Sequence, residues 1–242
     1  AMLEDGTAAV AYTLDTDRQD GTVTDREIVY AVVGADGQVL RNVQATNDAY
    51  LDENPQLTAV RFGGEQRFVL GWYTEQAAAA DSAAVLDGGG ESTGGETVSD
   101  IRLLEFDASG TTGQLLPDSI NQAANAYDVS ITSNFRFTKN SDTISDLSIL
   151  WVERAGRDDE TEIEKEVEKD VLKGVKFYTY GQNNELISFT GAVDVAEMGD
   201  ATLIDHFDAY VSNSAANEIM AVILGSTYGA NGAVTRTAET IG

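Results

Sequence analysis

The sequence predicts an all-β protein assembled from one antiparallel four-strand unit used repeatedly, and three observations carry that expectation. First, a degenerate pattern of about 70–80 residues is traversed three times. Second, Val, Ile, Tyr, Phe and Thr gather in short runs that Gly, Asn and Asp punctuate, which is the composition of strands and turns. Third, the chain has only 2 prolines, Pro55 and Pro117, and both stand at the margins of the expected strands, where a missing N–H costs least. A four-strand unit repeating at this length builds radial β architectures.

The elements follow in order. Ala8–Tyr12 is an apolar strand that closes a unit begun earlier, and the acidic stretch Asp15–Asp25 follows it. Each complete unit opens on an apolar strand and a tight turn: Ile28–Val33 with Gly34-Ala-Asp-Gly37, Ile101–Phe106 with Asp107-Ala-Ser-Gly110, and Val175–Tyr180 with Gly181-Gln-Asn-Asn184. Asp36-Gly37 is the strongest turn signal, because glycine accepts the positive φ of a tight primed turn; Asn183-Asn184 is its weaker equivalent. A short strand comes next, at Val39-Leu40, Leu115-Leu116 or Leu186-Ile187. A longer alternating strand follows (Gln56–Phe62, Asp128–Phe137, Ala201–Val211), and each unit closes on an apolar run (Phe68–Trp72, Leu147–Val152, Ile219–Leu224). The units run 8–27 (partial), 28–74, 100–152 and 171–226, with a polar tail at 227–242 leading toward a fourth, all within one domain, 1–242.

The variable segments are Asp15–Asp25, Glu75–Asp100, Glu153–Asp170 and Gly225–Arg236. All follow the closing apolar strands, so equivalent units send them to the same side, where they form a candidate contact surface. Ala77–Ala80, Asp87-Gly-Gly-Gly90 and Gly94-Gly95 make the second of them low in complexity. Asp158–Val171 is expected to be a short helix, since Ile163, Val167 and Val171 recur at i, i+4 and i+8. Glu162–Lys165 and Glu166–Lys169 can pair along its exposed side, and Asp158 or Asp159 supplies an N-cap. Its narrow apolar stripe fits a solvated helix resting on a sheet better than a lid.

Charge narrows the function classes. Against 41 acidic residues stand 15 basic ones, a formal net charge of −26, with no basic cluster. Such a surface repels nucleic acid and anionic lipid, which are bound through grouped Lys and Arg. Solubility in a salty medium accounts for the acidity, and cation binding is the sharper alternative. The chain has no cysteine, which removes disulfides, thiolate metal sites and cysteine nucleophiles. No apolar run approaches the roughly 18 residues of a transmembrane helix. The first residues carry neither a basic nor an apolar export region, so any removed signal peptide lay upstream.

The first full unit carries Asp36-Gly-Gln-Val-Leu40, then Asn54-Pro55-Gln56-Leu57, then Phe68-Val-Leu-Gly-Trp72. In this it resembles the blades of bacterial secreted and cell-surface β-propellers, with a D-x-x-G turn, an N-P-x-hydrophobic strand start and a strand ending in Trp. The second unit keeps Asp107-Ala-Ser-Gly110 and Trp151 but has Ala126-Tyr-Asp128 in place of Asn-Pro; the third keeps the hydrophobic rhythm alone. The resemblance implies a propeller-like array of four-stranded antiparallel blades, about three full blades plus flanking strands, in an extracellular or cell-surface protein. Since a closed ring usually takes about four to eight blades, the array is expected to be completed by further sequence or by a second copy meeting its exposed terminal blades.

Few residues carry chemistry. The lone His206 lies in Leu203–Val211, where strand alternation keeps Asp205 and Asp208 from both flanking it, so it is not read as catalytic. Asp15-Thr-Asp17-Arg-Gln-Asp20-Gly21 with Asp25 resembles a calcium loop, because hard cations take several oxygens from a short turn. Its glycine comes seventh rather than sixth. Trp72 and Trp151 hold equivalent strand positions and are expected to pack between blades rather than stack on sugars. No sialidase box, Gly-x-Ser-x-Gly, His-Glu-x-x-His or phosphate loop is present. The expected role is a non-catalytic scaffold or binding module that meets protein or glycan through same-side loops. The alternative is a propeller domain of a carbohydrate-active enzyme whose catalytic part lies outside this chain.

Overall fold

A computed structural model describes residues 1–15, 26–48, 50–62, 65–76, 98–114, 116–120, 126–133, 145–154, 170–180, 185–189, 193–198, 202–211, 219–228 and 233–241. Strands β1 (Ala8–Asp15), β2 (Arg26–Val33) and β3 (Val39–Gln44) form an antiparallel meander with β2 in the middle. A second meander runs through β4 (Leu51–Phe62), β5 (Glu65–Gln76), β6 (Val98–Phe106) and the short β7 (Ser119–Ile120). A single parallel bridge, Arg26 to Leu51, joins the two into one 7-stranded sheet. The third contains β8 (Ala126–Ser133), β9 (Ser145–Arg154) and β10 (Asp170–Tyr180). Its outer edge is shared by β11 (Glu185–Phe189) and β12 (Val193–Glu197), which pair with opposite halves of β10. The fourth is β13 (Thr202–Val211), β14 (Ile219–Tyr228) and β15 (Val234–Ile241). The protein is all-β with antiparallel sheets, and among the described residues no barrel or ring closes.

Several expectations need correcting. No helix occurs among the described residues, and the one expected over Asp158–Val171 falls mainly outside them. Its last two residues, Asp170 and Val171, are extended instead and begin β10, where the ladder with β9 pairs Asp170 with Arg154 and Val171 with Glu153. The fourth strand of the second meander is Ser119–Ile120; of the expected Leu115-Leu116 strand, Leu115 lies outside the described residues and Leu116 joins no ladder. Pro117, which has no N–H for a ladder, follows Leu116, and Leu116 is buried in the core instead. The polar tail is a strand, β15, held along its length by β14. The hydrogen-bonded sheets also start two strands later than the sequence unit: each begins on the long alternating strand. Asp17, Asp20, Asp25 and Asn183-Asn184 lie outside the described residues.

The turns form as their residues require. Gly37 and Gly110 take φ of 80° and 78°, and the Asp36 and Asp107 carboxylates accept backbone N–H groups two residues on. Pro55 lies inside β4 rather than at its margin. The ladder breaks there between Glu53 and Gln56, so no hydrogen bond is lost to the ring.

Three apolar cores separate four successive layers. Ile28, Tyr30 and Val32 of β2 face Phe68, Leu70 and Trp72 of β5. On the other face of the second meander, Val69, Ile101 and Leu103 meet Val129 and Ile131 of β8 and Leu147, Ile149 and Trp151 of β9. Leu150 and Val152, on the reverse of β9, meet Ile204, Phe207, Ala221 and Ile223. Side chains alternate across a strand, so β5 and β9 serve two cores each, and this is why their sequences are continuously apolar. Trp72 and Trp151 both point toward the preceding layer, as their equivalent positions predicted. The outermost faces stay open: Val10, Tyr12 and Leu14 on β1, and Val222 and Leu224 on β14, are exposed.

All four layers run the same way. Asn54 near the start of β4 bonds Asp128 near the start of β8, while Thr58 bonds Ser133 at its end, so these strands are parallel. The start of β13 is tied to the start of β10, through the Ile204 N–H to Asp170 Oδ2 at 2.6 Å. The start of β4 meets the start of β2 in the same sense. Strand ends Asp15, Gln76, Arg154 and Tyr228 consequently lie at one end of the molecule, which is the same-side placement expected of the variable connections.

Gly71 tests this packing. A Cβ there meets Ile131 Cδ1 at 2.1 Å and Leu103 Cδ2 at 3.2 Å, both side chains of the core between second and third layers. Gly71→Ala should cost about 1–3 kcal/mol by overpacking. Urea denaturation measures it, and a loss below a few tenths would mean that the layers are not in contact there.

Candidate functional site

Polar side chains from the first strands of three layers converge at the end just defined. The β4 break places Asn54 at φ 53°, a left-handed conformation that asparagine tolerates better than branched residues. Its amide donates to Asp128 Oδ1, which also accepts the Val129 N–H at 2.9 Å. Asp128 Oδ2 lies 3.4 Å from His206 Nδ1. Burial pushes the Asp128 carboxyl above the usual range; the Val129 N–H, His206 and the Phe207 N–H oppose it. Beside this group, Glu53 pairs with Arg26 and accepts the Tyr73 hydroxyl. Arg26, Glu53, Asn54, Asp128 and His206 thus form one row across the layers.

This row orients His206 differently from its sequence neighbours. A bulge between Ile204 and His206 shifts the strand phase, so that Ile204 and Phe207 share a core although three residues apart. Asp205 Oδ2 instead accepts the Ser226 hydroxyl, and Asp208 Oδ1 accepts the Ala209 N–H. The His206 side chain is 62% exposed, and among the described residues no Ser or Thr hydroxyl hydrogen-bonds it.

A second group lies at the junction between first and second layers. Glu27 of β2, Asp48 of the connection and Asp52 of β4 bring one carboxylate oxygen each within 4.8 Å of one another. Glu27 and Asp52 are each 1% exposed, and Asp48 is exposed. The Asp48 N–H donates to Glu27 Oε1 at 3.1 Å, and the Tyr50 N–H to Asp48 Oδ1 at 2.9 Å, fixing the connection over the two buried acids. Asp52 Oδ1 accepts the Trp72 indole N–H at 2.9 Å. Burial raises the Asp52 carboxyl; the Thr74 and Thr46 hydroxyls and the indole lower it, and Asp48 raises it further. Although those hydroxyls lie close enough to favour the anion, none makes a well-formed hydrogen bond to Oδ2, and Thr74 Oγ1 is itself without a partner.

The expected calcium loop is represented here by Asp15 alone, at the end of β1 opposite Arg26, since Asp17, Asp20 and Asp25 are outside the described residues. The Glu27–Asp48–Asp52 group is not legible in the sequence: Glu27 stands between Arg26 and the apolar run Ile28–Val33, where a charged residue ordinarily marks a solvated strand end, and only the fold buries it.

The indole contact separates the two tryptophans. Trp151 Nε1 is buried without a partner, whereas Trp72 Nε1 serves Asp52. Trp72→Phe should therefore cost about 1–3 kcal/mol beyond lost packing, because a buried carboxylate loses its donor. Trp151→Phe should lose packing alone. Equal urea-denaturation losses would contradict the assignment. No protein-family model matches this chain and no curated protein is similar to it, so its function has to be drawn from these side chains.

Proposed function

We propose that the chain is a non-catalytic scaffold or binding module of a secreted or cell-surface protein, contacting a protein or glycan through one end of a propeller-type arc of blades. The observation that carries this reading is the row of Arg26, Glu53, Asn54, Asp128 and His206, which faces the end shared by the variable connections. Equally oriented antiparallel meanders of three or four strands, stacked face to face with their first strands close to one another, support the blade assignment. Loops and strand ends gathered at one end of a rigid scaffold are the usual place for recognition. A row offering both donors and acceptors suits the hydroxyls of a glycan or the backbone of a peptide, and the net charge of −26 disfavours anionic forms of either.

A glycan array and a peptide array, probed with the wild-type chain and with His206→Ala and Asn54→Ala, test the reading. Retention of one ligand class, weakened about tenfold or more by either change, is expected, with the captured ligand recovered intact. Cleavage of the ligand would overturn the non-catalytic assignment, and binding indifferent to both changes would overturn the site. The open faces bearing Val10, Tyr12, Leu14, Val222 and Leu224 match positions that the inner layers bury, and a second copy of the chain is proposed to cover them. Sedimentation should then show a dimer that Leu224→Lys converts to monomer; a wild-type monomer at all concentrations would remove that assembly.

A further inference from the structure

We infer that Glu27, Asp48 and Asp52 form a calcium site that clamps the first layer to the second. Three carboxylate oxygens within 4.8 Å repel one another, most strongly when two of the side chains are removed from water. Neither Asp48 nor Asp52 has an ion-pair partner among the described residues, in contrast to Glu105, a buried acid that Arg67 approaches at 3.3 Å. The further sign of a ligand is Asp52 Oδ2, on a side chain only 1% exposed, which makes no well-formed hydrogen bond although the Thr46 and Thr74 hydroxyls lie near it. Thr74, its cross-strand neighbour, adds a buried hydroxyl oxygen that is also unpaired.

Comparison with the other junction sharpens the point. Asp170, which is fully buried where the third layer meets the fourth, receives the Ile204 N–H at 2.6 Å and the Tyr127 hydroxyl. Backbone and side-chain donors neutralise that acid. At the Glu27 junction, Asp52 Oδ2 lacks an equivalent donor, and a divalent cation supplies the missing positive charge. An all-oxygen donor set of three carboxylates selects a hard cation, and calcium sheds its water for protein carboxylates more readily than magnesium does. The exposed Asp48 leaves a way in from solvent. The inference is independent of the proposed ligand surface, because the clamp acts between layers.

Terbium, a luminescent stand-in for calcium, tests it on the full chain, since Trp72 donates its N–H to Asp52 and lies beside the site. Excitation of tryptophan should produce terbium emission that calcium displaces more effectively than magnesium. Trp72→Phe should abolish the emission and Trp151→Phe should leave it. Asp48→Asn, at an exposed position, should weaken terbium and calcium binding about tenfold or more without disturbing the buried acids. Calcium at a hundredfold excess over its dissociation constant should raise Tm by about 5–10 °C, and Asp48→Asn should remove that rise. Absence of sensitised emission would overturn the site, as would emission unchanged by Asp48→Asn. Emission lost with Asp17→Asn and Asp20→Asn but retained by Asp48→Asn would place the ion in the acidic stretch instead.

Discussion

The structure depends on strands that are buried on both faces. β5 sends Phe68, Leu70 and Trp72 into one core and Val69 into the next; β9 sends Leu147, Ile149 and Trp151 one way and Leu150 and Val152 the other. Each such strand must be apolar at every position or nearly so, and must be closely matched in volume on both sides. Gly71 records that demand, since Ile131 fills the space where its side chain would stand. Two of the acids at the polar end are positioned by these strands: Asp52 is held opposite Thr74, and Asp128 opposite Val152.

Two-sided burial also explains which parts of the fold were legible in the sequence. Runs such as Phe68–Trp72 and Leu147–Val152 advertise themselves, and both of these strands were recognisable from composition. Short outer strands were less so, because they carry one apolar face and few residues. Leu116 was buried without joining a ladder, while Ser119–Ile120, a polar–apolar pair, did join one. β15 gave no apolar signal at all: its described side chains are exposed, and it forms because β14 presents an unpaired edge to it. Edge pairing of that kind is decided by the neighbour, not by the strand's own residues.

The polar groups were legible only one partner at a time. His206 was visible as the single histidine, but its partner Asp128 stands 78 residues earlier and reaches it only because β8 and β13 run side by side. Alternation excluded one of its flanking aspartates correctly in principle, yet the bulge after Ile204 changed the phase on which that reasoning relied. Asn54-Pro55 was noticed as a strand start. Its consequence, a ladder break that turns Asn54 toward Asp128, needs the third dimension.

The acidity of the chain takes on a different meaning once its carboxylates are sorted by surroundings. Most lie in water, where repulsion is screened over roughly 8–10 Å at ordinary salt and costs the fold little. A few are buried, and each of these must have its charge met locally. Glu105 has Arg67, and Asp170 has a backbone N–H and a phenol. Asp52 has an indole on one oxygen and, on the other, only the nearby Thr46 and Thr74 hydroxyls without a well-formed hydrogen bond, at the place where the chain crosses from one layer to the next. Only a single parallel bridge joins the ladders there. The cation proposed between Glu27 on one side of the crossing and Asp52 on the other would add a second link beside that bridge. Among the described residues the one backbone bridge between successive layers and the least compensated carboxylate therefore coincide, and the ion proposed there would reinforce that bridge.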